Sequence, residues 1–146
     1  MTASELWSLF QREKGISISE YEAWAFGGDP NKLAELVIKG IKRATASLYY
    51  WYEDGKERLP QVGSYSVILD SKENAVCIIQ TTKVYIVPFC EVSKEHAEKE
   101  GEGDLSLAYW QKVHEEFFSS ELESEEINFS NKLKVVCEEF ELIFVA

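Results

Sequence analysis

Two short segments hold most of the residues in this chain that could do chemistry. Gly40-Ile41-Lys42-Arg43-Ala44-Thr45-Ala46-Ser47 puts two cations and two hydroxyls just past what reads as a helix end. Glu100-Gly101-Glu102-Gly103-Asp104 puts three carboxylates on a glycine-hinged loop. If the fold unites them, a lysine, a hydroxyl and a carboxylate share one pocket. That is the minimum set for capturing a polar ligand, and for hydrolysis centred on a hydroxyl. The functional reading rests on whether the two segments meet.

Each of these residues also has a plainer reading. Lys42 and Thr45 are three apart and share a face if the segment is helical or a tight turn. Thr45 and Ser47 alone could be local caps. The acidic loop could be a solvated turn whose Asp104 caps the next helix. The alternative is a ligand loop leading into a helix N-terminus. His96 and His114 are the only histidines. A general acid–base role suits them, as does a structural hydrogen bond. The rings of Trp24, Tyr49, Tyr50, Trp51, Tyr52 and Trp110 could include one that stacks on a base. No Ser/His/Asp order, P-loop or dinucleotide-binding glycine pattern stands out.

The elements that must position these residues are legible in outline. Thr2 to Lys14 reads as an amphipathic helix capped by Thr2 or Ser4 and ended by Gly15. Ser17 to Trp24 reads as a helical turn or an irregular segment. Asp29-Pro30 opens a second helix that Gly40 stops. Lys42 to Tyr52 is mixed. Tyr65–Asp70 and Ala75–Val87 read as strands joined by a hairpin-sized loop. Val92–Glu100 and Leu105–Ser119 read as helices. The apolar stripe of the second is expected at Leu105, Ala108, Tyr109, Val113 and Phe117. Leu133–Val145 reads as a closing strand that covers a sheet edge or completes a barrel. Strands in runs, without strand–helix alternation, predict an α+β domain with a mostly antiparallel, barrel-like sheet ringed by helices.

Composition narrows the partners. At 146 residues, with 45% hydrophobic and 13% aromatic content, the chain fits one folded domain, 1–146, with a real core. The net charge of −11 argues against tight binding to long duplex nucleic acid. The only marked basic cluster is Lys39, Lys42 and Arg43. Cys77, Cys90 and Cys137 form no CxxC, so neither a disulfide framework nor a zinc site is expected. The N-terminus has no signal-peptide pattern and no stretch approaches a membrane span, so a cytoplasmic location is expected. No cofactor is expected. A metal site is not expected either.

The order and spacing of several motifs resemble the ASCH family, a branch of the PUA-like β-barrel superfamily, in its longer bacterial subgroup. The carriers are Phe26-Gly27, the G-x-K-x-x-T segment Gly40–Thr45 with Ser47 after it, and Leu59-Pro60-x-Val62-Gly63. Thr81-Thr82-Lys83-Val84 with Pro88-Phe89, His96 to Asp104, and Trp110-x-x-x-His114 complete the set. The resemblance implies a small β-barrel surrounded by helices, with a cleft at one mouth faced by both segments. It implies RNA-associated or nucleoside-handling chemistry. Small ASCH enzymes hydrolyse the amide of N4-acetylcytidine with a Lys, a Thr and a Glu, which align with Lys42, Thr45 and Glu100. A longer bacterial relative has been credited with ribonuclease activity. The expected site therefore has Lys42, Thr45 and Glu100 as catalytic residues. Arg43, Ser47, Glu102, Asp104, Trp110 and His114 would hold the substrate, a nucleoside or short single-stranded RNA, with Trp110 stacking on the base. The rival expectations are a non-catalytic RNA-binding module and a metal-assisted ribonuclease using Glu100, Glu102 and Asp104. The chain also departs from the small enzymes. It is longer by its N-terminal helical region and by Trp110–Glu126, and its loop carries the extra acids Glu102 and Asp104.

Overall fold

Two long strands organise the chain. In a computed structural model describing residues 1–146, β4 (Ala75–Pro88) and β5 (Lys134–Val145) pair antiparallel along nearly their whole length. Both are rich in β-branched and aromatic residues, which suit a pleated, half-buried surface. Register shifts at Ile78/Ile79 and Thr81/Lys83 bend the pair. Bulges of this kind raise local twist and curl a sheet. Three shorter strands complete it: β1 (Glu22–Trp24), β2 (Ala44–Leu48) and β3 (Tyr65–Leu69). The order is β1-β3-β4-β5-β2, antiparallel except for the parallel β1–β3 pair. The result is a curled half-barrel with β1 and β2 as its free edges.

Two expectations change here. The last strand neither covers an edge nor closes the barrel, because β5 lies inside the sheet between β4 and β2. It has bonding partners on both sides, which a run as apolar as Val135-Val136-Cys137 needs. Of Ser17–Trp24, residues 17–21 are irregular, as one of the two readings had it, but Glu22–Trp24 is an edge strand that neither reading anticipated. Its three residues are too few for a hydrophobic period to show.

Four helices surround the sheet: α1 (Ala3–Lys14), α2 (Pro30–Ile38), α3 (Lys94–Glu100) and α4 (Leu107–Leu122). A Thr2/Glu5 capping box starts α1, and Leu6, Trp7 and Phe10 pack it on Val67 and Ile78. Asp29 caps α2, whose Ala34 and Val37 pack with Ile68, Ile79 and Phe140. The third cluster joins α4 to the sheet through Trp110, Phe118 and Leu122 against Leu48, Val135 and Cys137. The buried face of α4 is thus Trp110, His114, Phe118 and Leu122, spaced by four, and not the expected stripe; Leu105 and Tyr109 are exposed. His114 falls on this buried face one turn after Trp110. The helix is capped by Ser106, whose hydroxyl accepts from the Tyr109 N–H, while the Asp104 carboxylate, two residues before the cap, accepts from the Ser106 N–H. Cys77 and Cys137 are buried thiols pushed up to about 12 by burial, in keeping with small core residues. No helix is long and apolar enough to cross a membrane.

Candidate functional site

The two chemistry-bearing segments meet through a glycine. Gly101 ends α3 at φ +73°, and a Cβ there would lie 2.5 Å from the Ile41 carbonyl oxygen. Only glycine satisfies both the left-handed backbone and that approach. The Arg43 N–H donates to the Lys99 carbonyl at 2.7 Å, which fastens the start of β2 to the end of α3.

That docking buries Lys42 and Glu100 together, at 2% and 1% exposure. The Lys42 ammonium donates to Glu100 Oε1 at 3.4 Å, to the Glu100 carbonyl at 3.3 Å and to Glu102 Oε2 at 2.9 Å. Its three N–H groups therefore have three acceptors. The other Glu100 oxygen, Oε2, accepts from the Trp110 indole at 2.6 Å and pairs with His96 Nε2 at 2.7 Å. His114 Nε2 lies 3.4 Å from Oε1. Its Nδ1 donates to the Trp110 carbonyl at 2.9 Å, and the Trp110 and His114 rings stack at 4.2 Å. The helical spacings make this possible. His96 and Glu100 are one turn apart on α3, and Trp110 and His114 are one turn apart on α4.

The electrostatics follow from these contacts. Burial alone would push the Glu100 carboxyl upward. Lys42, His114 and His96 outweigh it and hold Glu100 well below the usual carboxylate range. Burial pushes His114 down, but the Glu100 charge and the bonds to Glu100, Glu102 and Trp110 raise it overall. A proton on each ring nitrogen satisfies both of the His114 acceptors. Glu100, Glu102 and His114 bring ligand-type atoms within 4.8 Å of one another, a spacing at which a cation could be held. The Lys42 ammonium already lies against both carboxylates, so a metal ion there would have to displace it. Asp104 takes no part in the cluster.

The main cavity opens between the two free edges of the half-barrel. It measures about 930 Å³ and is lined by β1, β2, the loop of residues 57–64 running into the start of β3, Thr81 of β4, Glu138 of β5, and Phe117 and Glu121 of α4. Thr45 and Ser47 stand on its wall, and the Ser47 hydroxyl is 2.9 Å from the Tyr52 hydroxyl. Phe26 also lines the cavity, with the Lys42 ammonium 5.2 Å from its ring centre on the buried side. The cavity and the buried ion network are therefore neighbours separated by the Phe26 ring.

The model of the ASCH domain matches residues 22–144. The chain belongs to the ASCH family. An ASCH domain from Lactobacillus crispatus JV V101 superimposes with a TM-score of 0.85 at 36% identity, covering 93% of this chain and 91% of that one. A protein from Enterococcus faecalis V583 superimposes with a TM-score of 0.89 at 34% identity, covering 97% and 88%. A hypothetical protein at 22% identity and TM-score 0.55 shares the fold alone. No curated protein matches. The ASCH domain is a PUA-like fold associated with RNA and nucleotide binding.

The ASCH fold places the anticipated residues in three groups. Lys42, Glu100, Glu102, Trp110 and His114 form the buried network. Thr45 and Ser47 face the cavity. Arg43 and Asp104 are exposed and line a separate shallow depression of about 640 Å³ with Ile41, Lys94 and Glu98. Trp110 is 2% exposed, with its indole bonded to Glu100 and one face against His114, so no open face remains for a base. Trp24, half-buried on the cavity wall, has a ring at the right place. Lys42 and Thr45 are not related by a helical turn, because residues 44–48 are strand. Sequence reasoning missed Glu138, 7% exposed and on the cavity wall. The signal was a carboxylate in phase with Val136 and Phe140 on an otherwise apolar strand face.

Proposed function

We propose that this ASCH domain binds a nucleoside in the cavity between β1 and β2 and hydrolyses an amide on its base, as in N4-acetylcytidine. The observation that supports the reading most is the buried Lys42–Glu100 pair directly behind Phe26, with the Thr45 hydroxyl on the wall of the same cavity. Trp24 is the ring for base stacking. The Thr45 oxygen attacks the acyl carbon while its proton passes to Glu100, held ionised, a step that requires the Phe26 ring to swing aside and join the ion network to the cavity. The Lys42 ammonium stabilises the oxyanion, exchanging its bond to the half-buried Glu102 for one to the developing charge. Collapse of the tetrahedral intermediate breaks the carbon–nitrogen bond, and the proton passes from Glu100 to the leaving amine. Water then cleaves the threonyl ester, releasing the acid and regenerating the hydroxyl.

The test is turnover of N4-acetylcytidine. Thr45→Ala touches a partly exposed wall residue, so it should keep the fold and abolish turnover. Glu100→Gln should lower the rate by roughly 10²–10⁴-fold, the usual contribution of a positioned proton-transfer group. Undiminished turnover in folded Thr45→Ala protein ends this mechanism.

A further inference from the structure

Within the cavity stands one buried carboxylate, and the proposed reaction does not use it. Glu138 lies on β5, opposite Thr45 of β2 in the strand register. One of its oxygens accepts a 2.6 Å hydrogen bond from the Thr81 hydroxyl. Thr81 sits at the β4 bulge, which turns it toward Glu138. The second carboxyl oxygen has no protein donor, although the residue is 7% exposed. That oxygen is not sealed off: it opens onto the cavity, where water or the N–H of a ligand can reach it.

The surroundings restrict what can arrive. The charged residues lining the cavity are Glu20, Glu22, Glu57, Glu121 and Glu138 against a single cation, Arg58. Arg58 itself lies 3.9 Å from Glu20, so part of its charge is already answered. Glu20, Glu22 and Glu57 are exposed at the cavity mouth, so this excess of carboxylates repels a phosphate in a way that salt screens, and it welcomes N–H donors.

We propose that Glu138 is the residue that selects the ligand: its open oxygen accepts a hydrogen bond from an amino or amide N–H of an unphosphorylated heterocycle. This deepens, and rests on, the nucleoside reading of the cavity. It distinguishes a free nucleoside from a nucleotide or an RNA chain, whose phosphates the wall disfavours. It also gives the base an orientation, with its nitrogen-bearing edge against β5 and therefore beside Thr45.

Isothermal titration calorimetry with cytidine, N4,N4-dimethylcytidine and cytidine 5′-monophosphate tests the assignment without relying on turnover. Wild-type protein should bind cytidine about ten- to a hundredfold more tightly than the dimethyl compound, which lacks the N–H. Glu138→Ala should bind the two alike. Cytidine 5′-monophosphate should bind more weakly than cytidine at low salt, with the gap closing as salt rises. Glu138→Gln, which keeps the side chain's shape, should narrow that gap. Equal binding of cytidine and its dimethyl analogue by wild type overturns the assignment. So does discrimination that survives in Glu138→Ala, or a nucleotide that binds as well as the nucleoside. If none of the three compounds binds, the nucleoside reading falls together with this one. The two proposals fail separately in the remaining cases. Discrimination without acetylcytidine turnover removes the hydrolytic step alone, and turnover without discrimination removes Glu138 alone.

Discussion

Glu100 and Glu138 are the same residue, both nearly sealed from water, in regions that touch through the Phe26 ring. Their surroundings could hardly differ more. Glu100 faces an ammonium, an indole N–H and two imidazoles. Glu138 faces one hydroxyl. Burial pushes both carboxyls upward, yet Glu100 ends well below the usual range and Glu138 above it. For Glu138 the nearby Glu22 adds to burial, and the Thr81 hydroxyl only partly offsets them. Burial alone therefore does not decide a carboxylate's charge state; the number and kind of donors does. One region is an ion network in which both Glu100 oxygens are answered, with only His96 Nδ1 left unpartnered, and it locks α3, α4 and the start of β2 together. The other is an unfinished one, open to a ligand.

The most direct way to break this contrast is to remove the cation. Lys42→Met leaves Glu100 and Glu102 without their ammonium while keeping most of the side-chain volume. Losing one partner of a buried pair typically costs about 3–5 kcal/mol. Urea denaturation at neutral pH should show a loss of that order. A variant as stable as wild type would mean that the two histidines and the indole suffice to hold Glu100, and that Lys42 is kept for chemistry alone.

The second test uses pH. Glu100 has a depressed folded-state pKa, so its contribution is fully present above the unfolded carboxylate value of about 4.3 and is lost as pH falls through the folded value. His114 has a raised one, so its contribution is fully present below the unfolded imidazole value of about 6.5 and is lost as pH rises through the folded value. The network is therefore strongest between about pH 4.5 and 6.5. Thermal unfolding of wild type should show a stability maximum in that window. His114→Gln should lose the alkaline decline and keep the acidic one. An alkaline limb that persists unchanged in His114→Gln would assign the proton to another group.

The two regions were unequally legible in the sequence. Lys42 and Glu100 stood in segments dense with chemistry, and the ASCH resemblance placed both at one site. The helical spacings His96–Glu100 and Trp110–His114 are local, and a helix turns them to one side without any knowledge of the rest. Trp110 was assigned to the ligand because a ring beside a site looks like a stacking platform. Its indole N–H instead answers the buried Glu100, a need that appears only when the two helices are packed. The cavity was harder to see. Its walls come from residues scattered over all five strands, α4 and the loop of residues 57–64, so no spacing announces them. Glu138 was hidden by Glu139, because two adjacent acids look like a solvated pair. Strand alternation separates them: Glu139 points to Lys99 at 3.1 Å, and Glu138 points into the cavity.

The smallest expected effect is also the sharpest. Glu138 has a raised folded-state pKa, so wild type loses stability as pH climbs from the unfolded value of about 4.3 toward the folded one. Glutamine does not titrate, and its shape is nearly the same. The difference between Glu138→Gln and wild type should be close to zero in acid and should grow in favour of the variant toward neutral pH. A gain of roughly 0.5–2 kcal/mol is typical when an unsupported group at a functional site is relieved. Glu100→Gln should move the opposite way over the same range, because there the charge is the favoured form. Thermal unfolding of both variants across that range gives two curves that diverge. If Glu138→Gln is destabilised by a constant amount at every pH, then a donor completes the Glu138 carboxylate in the free protein. The open acceptor on the cavity wall, and the ligand selection built on it, would then go together.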